Sequence, residues 1–260
     1  MLSIKELGEV FLPALSHSVV WIIFLLIVFI VLVLYAYPYI KKSGKEFRGR
    51  HKGILVANII SLYIFTKMFE GVIYQMSILK VDAWFNGIVY SSWLTNAALF
   101  ITAFGDTIAI ALLFALALAV LLFRKRWRYA LLSTIVILGA LALRIIIKAF
   151  VRRVRPENLI ETGFSFPSGH AIMAIAFVSL LIYSFKDDFK NGVMKYMLMA
   201  LSLAFFIAVG ISRIILHVHW FSDVVAGISL GLFWFTCVVL VERSIAGLIQ
   251  AIRRETKKAE

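Results

Sequence analysis

Three short segments of this 260-residue chain concentrate polar side chains whose types and spacing suit chemistry on a phosphate group. The first runs Lys148-Ala-Phe-Val-Arg152-Arg153-Val-Arg155-Pro156. Arg144, Lys148 and Arg152 follow i, i+4 spacing and are expected on one helix face, and Pro156 marks where regular helix has stopped. Lysine brings a phosphate a compact point charge and arginine a bidentate fork. For Arg152 and Arg153 the competing reading is snorkelling of long side chains at a helix end.

The second segment, Phe166-Pro167-Ser168-Gly169-His170, opens a helix. Proline and serine start helices well, and the unpaired N–H groups of a first turn receive anions. Gly169 lets an oxyanion approach the backbone closely, and His170, in the same turn, can protonate a leaving oxygen. The tetrapeptide also reads as an ordinary helix cap. The third segment is Ser212-Arg213-Ile-Ile-Leu-His217-Val-His219-Trp-Phe-Ser-Asp223. Asp223 stands four residues after His219, so at the start of a helix its carboxylate accepts the imidazole N–H. That fixes the tautomer and leaves the other ring nitrogen as a lone-pair nucleophile. The residue four after His217 is Phe221, which cannot orient a ring, so the nucleophile is assigned to His219 and His217 is read as a rim residue. Arg213 adds a cation to the phosphate pocket.

A metal site is the rival use of His170, His217, His219 and Asp223, because zinc takes three or four converging ligands. Lys148, Arg155 and Arg213 would crowd such a dication with like charge. The expectation is therefore a site with no metal and no cofactor. Asp106, which follows Gly105, Arg144 and His217 are candidates for supporting roles around it. Glu70 reads as a partner of Lys67, and His17 and His51 lie outside the cluster.

The elements that position these segments must sit in lipid. Of the chain 62% is apolar and only 16% charged, with a mean hydropathy of +0.96, against about 45–50% and about 25% in soluble domains. Seven apolar runs are long enough to cross a bilayer, at roughly 19 to 38, 53 to 73, 97 to 123, 129 to 147, 169 to 185, 195 to 214 and 221 to 242. The first is too long for a signal peptide and has no small-residue cleavage site after it. The stretch 74 to 96, with Trp84, Phe85, Tyr90 and Trp93, reads as an interfacial segment of an aromatic belt. Cys237, the single cysteine, packs as a small hydrophobe. The net charge of +13 falls between the apolar runs, which favours anionic lipid head groups over nucleic acid as partners.

Orientation follows from the basic loops. Lys41, Lys42, Lys45, Arg48, Arg50 and Lys52, and then Arg124 to Arg128, are expected on the cytoplasmic side. Alternation adds Lys186 to Lys195 and the tail with Arg253, Arg254, Lys257 and Lys258. The N-terminus and the loops 74 to 96, 148 to 168 and 215 to 220 then face away from the cytoplasm. Lys148, Arg152, Arg153 and Arg155 lie on the side where topology disfavours positive charge, which points to a functional cause. The expected division is residues 1–79, an N-terminal pair of helices with a basic loop; 80–242, the membrane domain that carries the chemistry; and 243–260, a basic tail.

Lys148 with six residues before the Arg155-Pro156 pair, then Pro167-Ser168-Gly169-His170, then Ser212-Arg213 with five residues before His219 and three more before Asp223, together resemble the three-part signature of the type-2 phosphatidic acid phosphatase superfamily. Every signature position matches, over roughly residues 80 to 240. The resemblance implies an all-α polytopic transmembrane bundle whose last five or six helices form the family core. It implies metal-independent dephosphorylation of a lipid phosphate or diphosphate at an outward-facing site, as in bacterial members that look like undecaprenyl diphosphate or phosphatidylglycerophosphate phosphatases. By the same resemblance Lys148, Arg155, Ser168, Gly169 and Arg213 hold the phosphoryl oxygens. His219 forms a phosphohistidine, Asp223 orients it, His170 protonates the leaving oxygen, and water completes the hydrolysis. Only Glu157 to Phe166 separate the first two motifs, so selectivity must come from this short loop and a lipid groove between helices. A lipid phosphotransferase with the same covalent intermediate and a non-catalytic transporter of phosphate head groups are the alternatives.

Overall fold

A computed structural model describes residues 16–40, 52–156, 161–185, 188 and 192–259, for some of which only the backbone is described. The basic loop from Lys41 to Arg50, His51 and most of the segment from Lys186 to Asn191 lie outside these residues. The described residues form nine helices and no strand: α1 (His17–Ile40), α2 (Lys52–Ile73), α3 (Ile78–Asn86), α4 (Ser92–Ala103), α5 (Thr107–Phe123), α6 (Trp127–Val151), α7 (Gly169–Phe185), α8 (Gly192–Ile215) and α9 (Phe221–Ala259). Five of them, α1, α2, α6, α8 and α9, are long and apolar enough to cross a membrane. The pair α4 and α5 makes a sixth, bent span, and α7 is a shorter apolar helix of 17 residues. The protein is an integral membrane helical bundle.

Two expected helices are corrected. The run 97 to 123 is not continuous, because α4 and α5 meet at a 43° bend. Asp106 makes the break: its backbone is extended and its carboxylate caps α5, accepting the Ile108 N–H at 2.8 Å. The expected face of Arg144, Lys148 and Arg152 ends at Lys148. Arg152 adopts a left-handed conformation (φ 53°) that stops α6 four residues before Pro156, with its N–H donated to the Lys148 carbonyl.

Helix α7 is the axis of the bundle. Ala171, Ile172, Ala174, Ala176, Val178 and Leu180 are buried on all its faces, as a helix apolar all round requires when neighbours enclose it. Small residues bring α9 close: a Cβ on Gly227 would stand 2.6 Å from the Ser168 carbonyl, and one on Gly231 would stand 2.7 Å from that of Ile172. This approach sets the start of α7 against the start of α9, where the second and third motifs lie. Helix α2 packs along α9, and Asn58 donates to the Phe233 carbonyl (3.0 Å) and the Thr236 hydroxyl (2.9 Å). Helix α1 is peripheral and leaves Ile22, Leu25 and Phe29 exposed. The buried Glu70 holds it, bonded to His17 (2.7 Å) and Trp21 (3.0 Å) as well as to the expected Lys67 (3.0 Å).

The basic residues after α5 gather at one end of the bundle. Arg124 and Arg126 pair with Asp188, Arg126 also donates to the Ser184 carbonyl (3.1 Å), and Arg128 pairs with Glu242. The three chemical motifs gather at the other end.

Candidate active site

The turn between α8 and α9 is built on one carbonyl, since the N–H groups of Val218 and His219 both donate to Arg213 O at 3.2 Å. It delivers a buried His219 ring to the first turn of α9. There Nδ1 faces Asp223 Oδ2 at 3.3 Å, and the same oxygen accepts the Trp220 N–H at 3.0 Å. Nε2 lies 3.2 Å from Arg155 Nη1. Burial and then the charges of Arg155, Lys148 and Arg213 push the His219 imidazole well below the ordinary histidine range. The ring is neutral at neutral pH, and Nε2 is the nitrogen turned away from Asp223.

Three cations converge around it. Arg155 is anchored to the carbonyls of Val218 (2.7 Å) and Gly163 (3.1 Å). Arg213, in the last turn of α8, donates to Thr102 Oγ1 at 2.6 Å, while its Nε is buried without a hydrogen-bond partner. Lys148 donates to the Phe164 carbonyl at 2.8 Å. Arg144 approaches from α6 along Gly169, where a Cβ would come within 2.4 Å of its Nε. The missing side chain of Gly169 thus leaves room for the Arg144 guanidinium at the start of α7. The Ser168 amide is not free for an anion, because it donates to the Asp223 carbonyl at 2.9 Å. The Ser168 hydroxyl is buried without a partner. His170 is the second residue of α7, beside Gly105.

His217 is turned away from this cluster. Its backbone has a φ of 53°, and its Nδ1 lies 3.0 Å from Asn86 Oδ1 of α3. Helix α3 is thus more than an aromatic belt. Trp84 and, beyond the helix, Trp93 are exposed, but Phe85 stacks on Phe221 with centroids 4.7 Å apart. Of the other expected supporting residues, Arg144 reaches Thr107 Oγ1 at 3.5 Å and Asp106 serves as the α5 cap.

Two carboxylates were not anticipated. Glu161 pairs with both Arg155 (3.0 Å) and Arg213, between the guanidiniums. Asp82 of α3, 2% exposed, pairs with Arg153 at 2.6 Å, and Arg153 pairs with Asp223 at 2.7 Å. Arg153 is therefore an ion-pair partner, and the snorkelling reading fails for it. Arg152 bonds its own helix, donating to the Ala149 carbonyl at 3.0 Å, and lies over the Phe164 ring. Asp82 stands in the stretch that reads as an interfacial aromatic belt, and no local spacing pairs it with Arg153. Nothing local separates Glu161 from Glu157. Among the described residues no three or more His, Cys, Asp or Glu side chains form a group that could hold a metal ion.

The chain is similar to known membrane proteins. Residues 129–245 match the model of the PAP2 superfamily. The chain is 30% identical over 188 residues to phosphatidylglycerophosphatase B of Bacillus subtilis, an alignment of 69% of this chain and 92% of that protein. The fold superposes with a TM-score of 0.62 and 26% identity on a transmembrane PAP2 type phosphatidylglycerolphosphate phosphatase from the same species, over 69% of this chain and 94% of that one. A more distant likeness, with a TM-score of 0.47 and 21% identity over 64% of this chain and 94% of the other, is to Aquifex aeolicus LpxE. The chain belongs to the PAP2 superfamily of membrane phosphatases.

Proposed function

We propose that this membrane phosphatase hydrolyses a lipid phosphate or diphosphate through a phosphohistidine on His219, at a site facing away from the cytoplasm. The observation that carries the reading is the placement of a neutral, buried His219 between Asp223 and Arg155, inside a cluster of cations. Nε2 attacks phosphorus while the bond to the leaving lipid oxygen breaks, and His170 gives that oxygen its proton. Water then attacks the phosphohistidine, His170 takes a proton from it, and inorganic phosphate leaves. Lys148, Arg155, Arg213 and the Ser168 hydroxyl hold the phosphoryl oxygens, and Gly169 keeps the start of α7 open to them. Donors aimed at developing charge are typically worth about 10²–10³ in rate each.

The substrate class is a phosphatidyl phosphate, with undecaprenyl diphosphate the other expected substrate. Support comes from the likeness to phosphatidylglycerophosphatase B and from an apolar groove of about 440 Å³ between α2 and α9, lined by Val56, Ile60, Ile64, Val225, Ile228 and Leu232. Val225 is two residues from Asp223, so a chain in the groove brings its head group toward His219. The test compares phosphate release from phosphatidylglycerophosphate, phosphatidate and undecaprenyl diphosphate in mixed micelles. Fastest release from a phosphatidyl phosphate is expected, and turnover of none of the three overturns the reading. Orientation is tested separately by a cysteine at 162, which an impermeant reagent is expected to label in intact cells; labelling only after lysis inverts the topology.

A further inference from the structure

We propose that Asp82 and Arg153 are positioning residues for catalysis, forming with Asp223 a charge-alternating chain that aims His219 at phosphorus; this rests on the reading of His219 as nucleophile. Asp82 lies outside the three motifs, and Arg153 fills a spacer position of the first, between Lys148 and Arg155.

Every oxygen of the two carboxylates is committed. Asp223 Oδ2 faces His219 Nδ1 and accepts the Trp220 N–H, while Oδ1 accepts Arg153 Nη1 at 2.7 Å. Asp82 Oδ1 accepts the Ser222 N–H at 2.8 Å. Its Oδ2 accepts the Ser222 hydroxyl at 2.7 Å and Arg153 Nη2 at 2.6 Å. Arg153 Nη1 also donates to the Ser222 hydroxyl at 2.7 Å.

The guanidinium is held at both ends and on one face. It stacks 5.2 Å from the Trp220 ring centroid, and its backbone carbonyl accepts the Ser165 N–H at 2.8 Å. A planar fork with one carboxylate on each prong cannot rotate without breaking two charge-assisted bonds. Asp82 therefore fixes the fork, the fork fixes the rotamer of Asp223, and Asp223 fixes the tautomer and aim of the imidazole. Such outer partners of a reactive histidine typically cost about 10–100-fold when lost, on the scale known for metal-ligating histidines. The chain also ties α3, through Ser222, to the first turn of α9. Asp82 contacts no reacting atom, so its loss falls on the chemical step and leaves substrate binding alone.

The test is a kinetic cycle on the full-length protein in micelles, with the lipid phosphate that the wild type turns over fastest. Asp82→Asn keeps the shape but removes the charge and presents an amide N–H to Arg153. It is expected to lower kcat by about 10–100-fold with KM within about twofold. Arg153→Met is expected to lower kcat at least as much, and Asp82→Asn added to Arg153→Met is expected to change kcat by less than about threefold, since the relay is already cut. Arg153→Lys keeps the charge but cannot hold both carboxylates as the fork does, so it is expected to lower kcat by at least about tenfold with KM within about twofold, and it reads the same chain should Asp82→Asn fail to fold. A wild-type kcat in Asp82→Asn or in Arg153→Lys, or losses that multiply in the double variant, overturns the proposal. His219→Ala run alongside separates the two claims: turnover there defeats the phosphohistidine reading, whereas an inactive His219→Ala beside a fully active Asp82→Asn defeats only the relay.

Discussion

Arg155 Nη1 lies 3.2 Å from Nε2 of His219, and the same guanidinium is held by the carbonyls of Val218 and Gly163 and by the Glu161 carboxylate. In the proposed mechanism this N–H leaves the Nε2 lone pair for a phosphoryl oxygen as the substrate enters. Lysine at this position supplies a charge but cannot hold both the Val218 carbonyl and a phosphoryl oxygen. Arg155→Lys is expected to lower kcat/KM by about 10²-fold, the scale of one lost transition-state donor. Steady-state assays on the folded variant check this, and activity within threefold of wild type contradicts it.

Glu161 lies between Arg155 and Arg213. In the proposed mechanism a phosphate bound to both guanidiniums displaces this carboxylate, so Glu161 is expected to compete with substrate and product alike. Glu161 is partly exposed but both guanidiniums are buried, so the roughly 1 kcal/mol of a surface pair is a lower bound. Glu161→Gln is expected to tighten inhibition by inorganic phosphate by at least about threefold. Weaker inhibition would show instead that Glu161 organises the two arginines.

Ser168 carries a buried hydroxyl with no partner, while its amide is spent on the Asp223 carbonyl. Removing an unpaired buried hydroxyl leaves no unmade bond behind. Ser168→Ala is therefore expected to hold or raise the melting temperature while lowering kcat by about 10²-fold. A loss of stability with intact kcat would make the serine structural.

The neutral state of His219 has a pH signature. Burial and the surrounding cations hold its imidazole well below the usual histidine range. The native ring stays unprotonated where the unfolded one, with a pKa of about 6.5, binds a proton. Its contribution to stability is thus present above about pH 6.5 and is lost as pH falls below that value. Histidine NMR of the detergent-solubilised protein, assigned by His219→Gln, checks this, and a His219 resonance titrating at or above 6.5 contradicts it.

The helical membrane class was legible because spans that face lipid are apolar throughout, and the motif residues stood out because polar side chains are costly there. The bend at Asp106 was not legible. A single acid in an apolar run reads equally as a functional group and as a cap, and only the extended backbone before α5 decides. The partner of Arg153 lies 71 positions away in α3, a separation that no helical period reports. Asp82 was hidden by its aromatic neighbours, which read as an interfacial belt although Phe85 and Asn86 of the same helix cover the α8–α9 turn. At Gly169 a site of close approach is legible, but the Arg144 side chain that packs against it comes from a different helix, which the local sequence does not report.

The central claim is a covalent phosphate on His219. Phosphatidylglycerophosphate labelled in its terminal phosphate, mixed rapidly with protein in EDTA and quenched in alkali, is predicted to leave label on the wild type that is stable in base and lost in acid, with none on His219→Ala. Label on His219→Ala, or full turnover by the wild type with no trapped phosphoenzyme at any time, would contradict it.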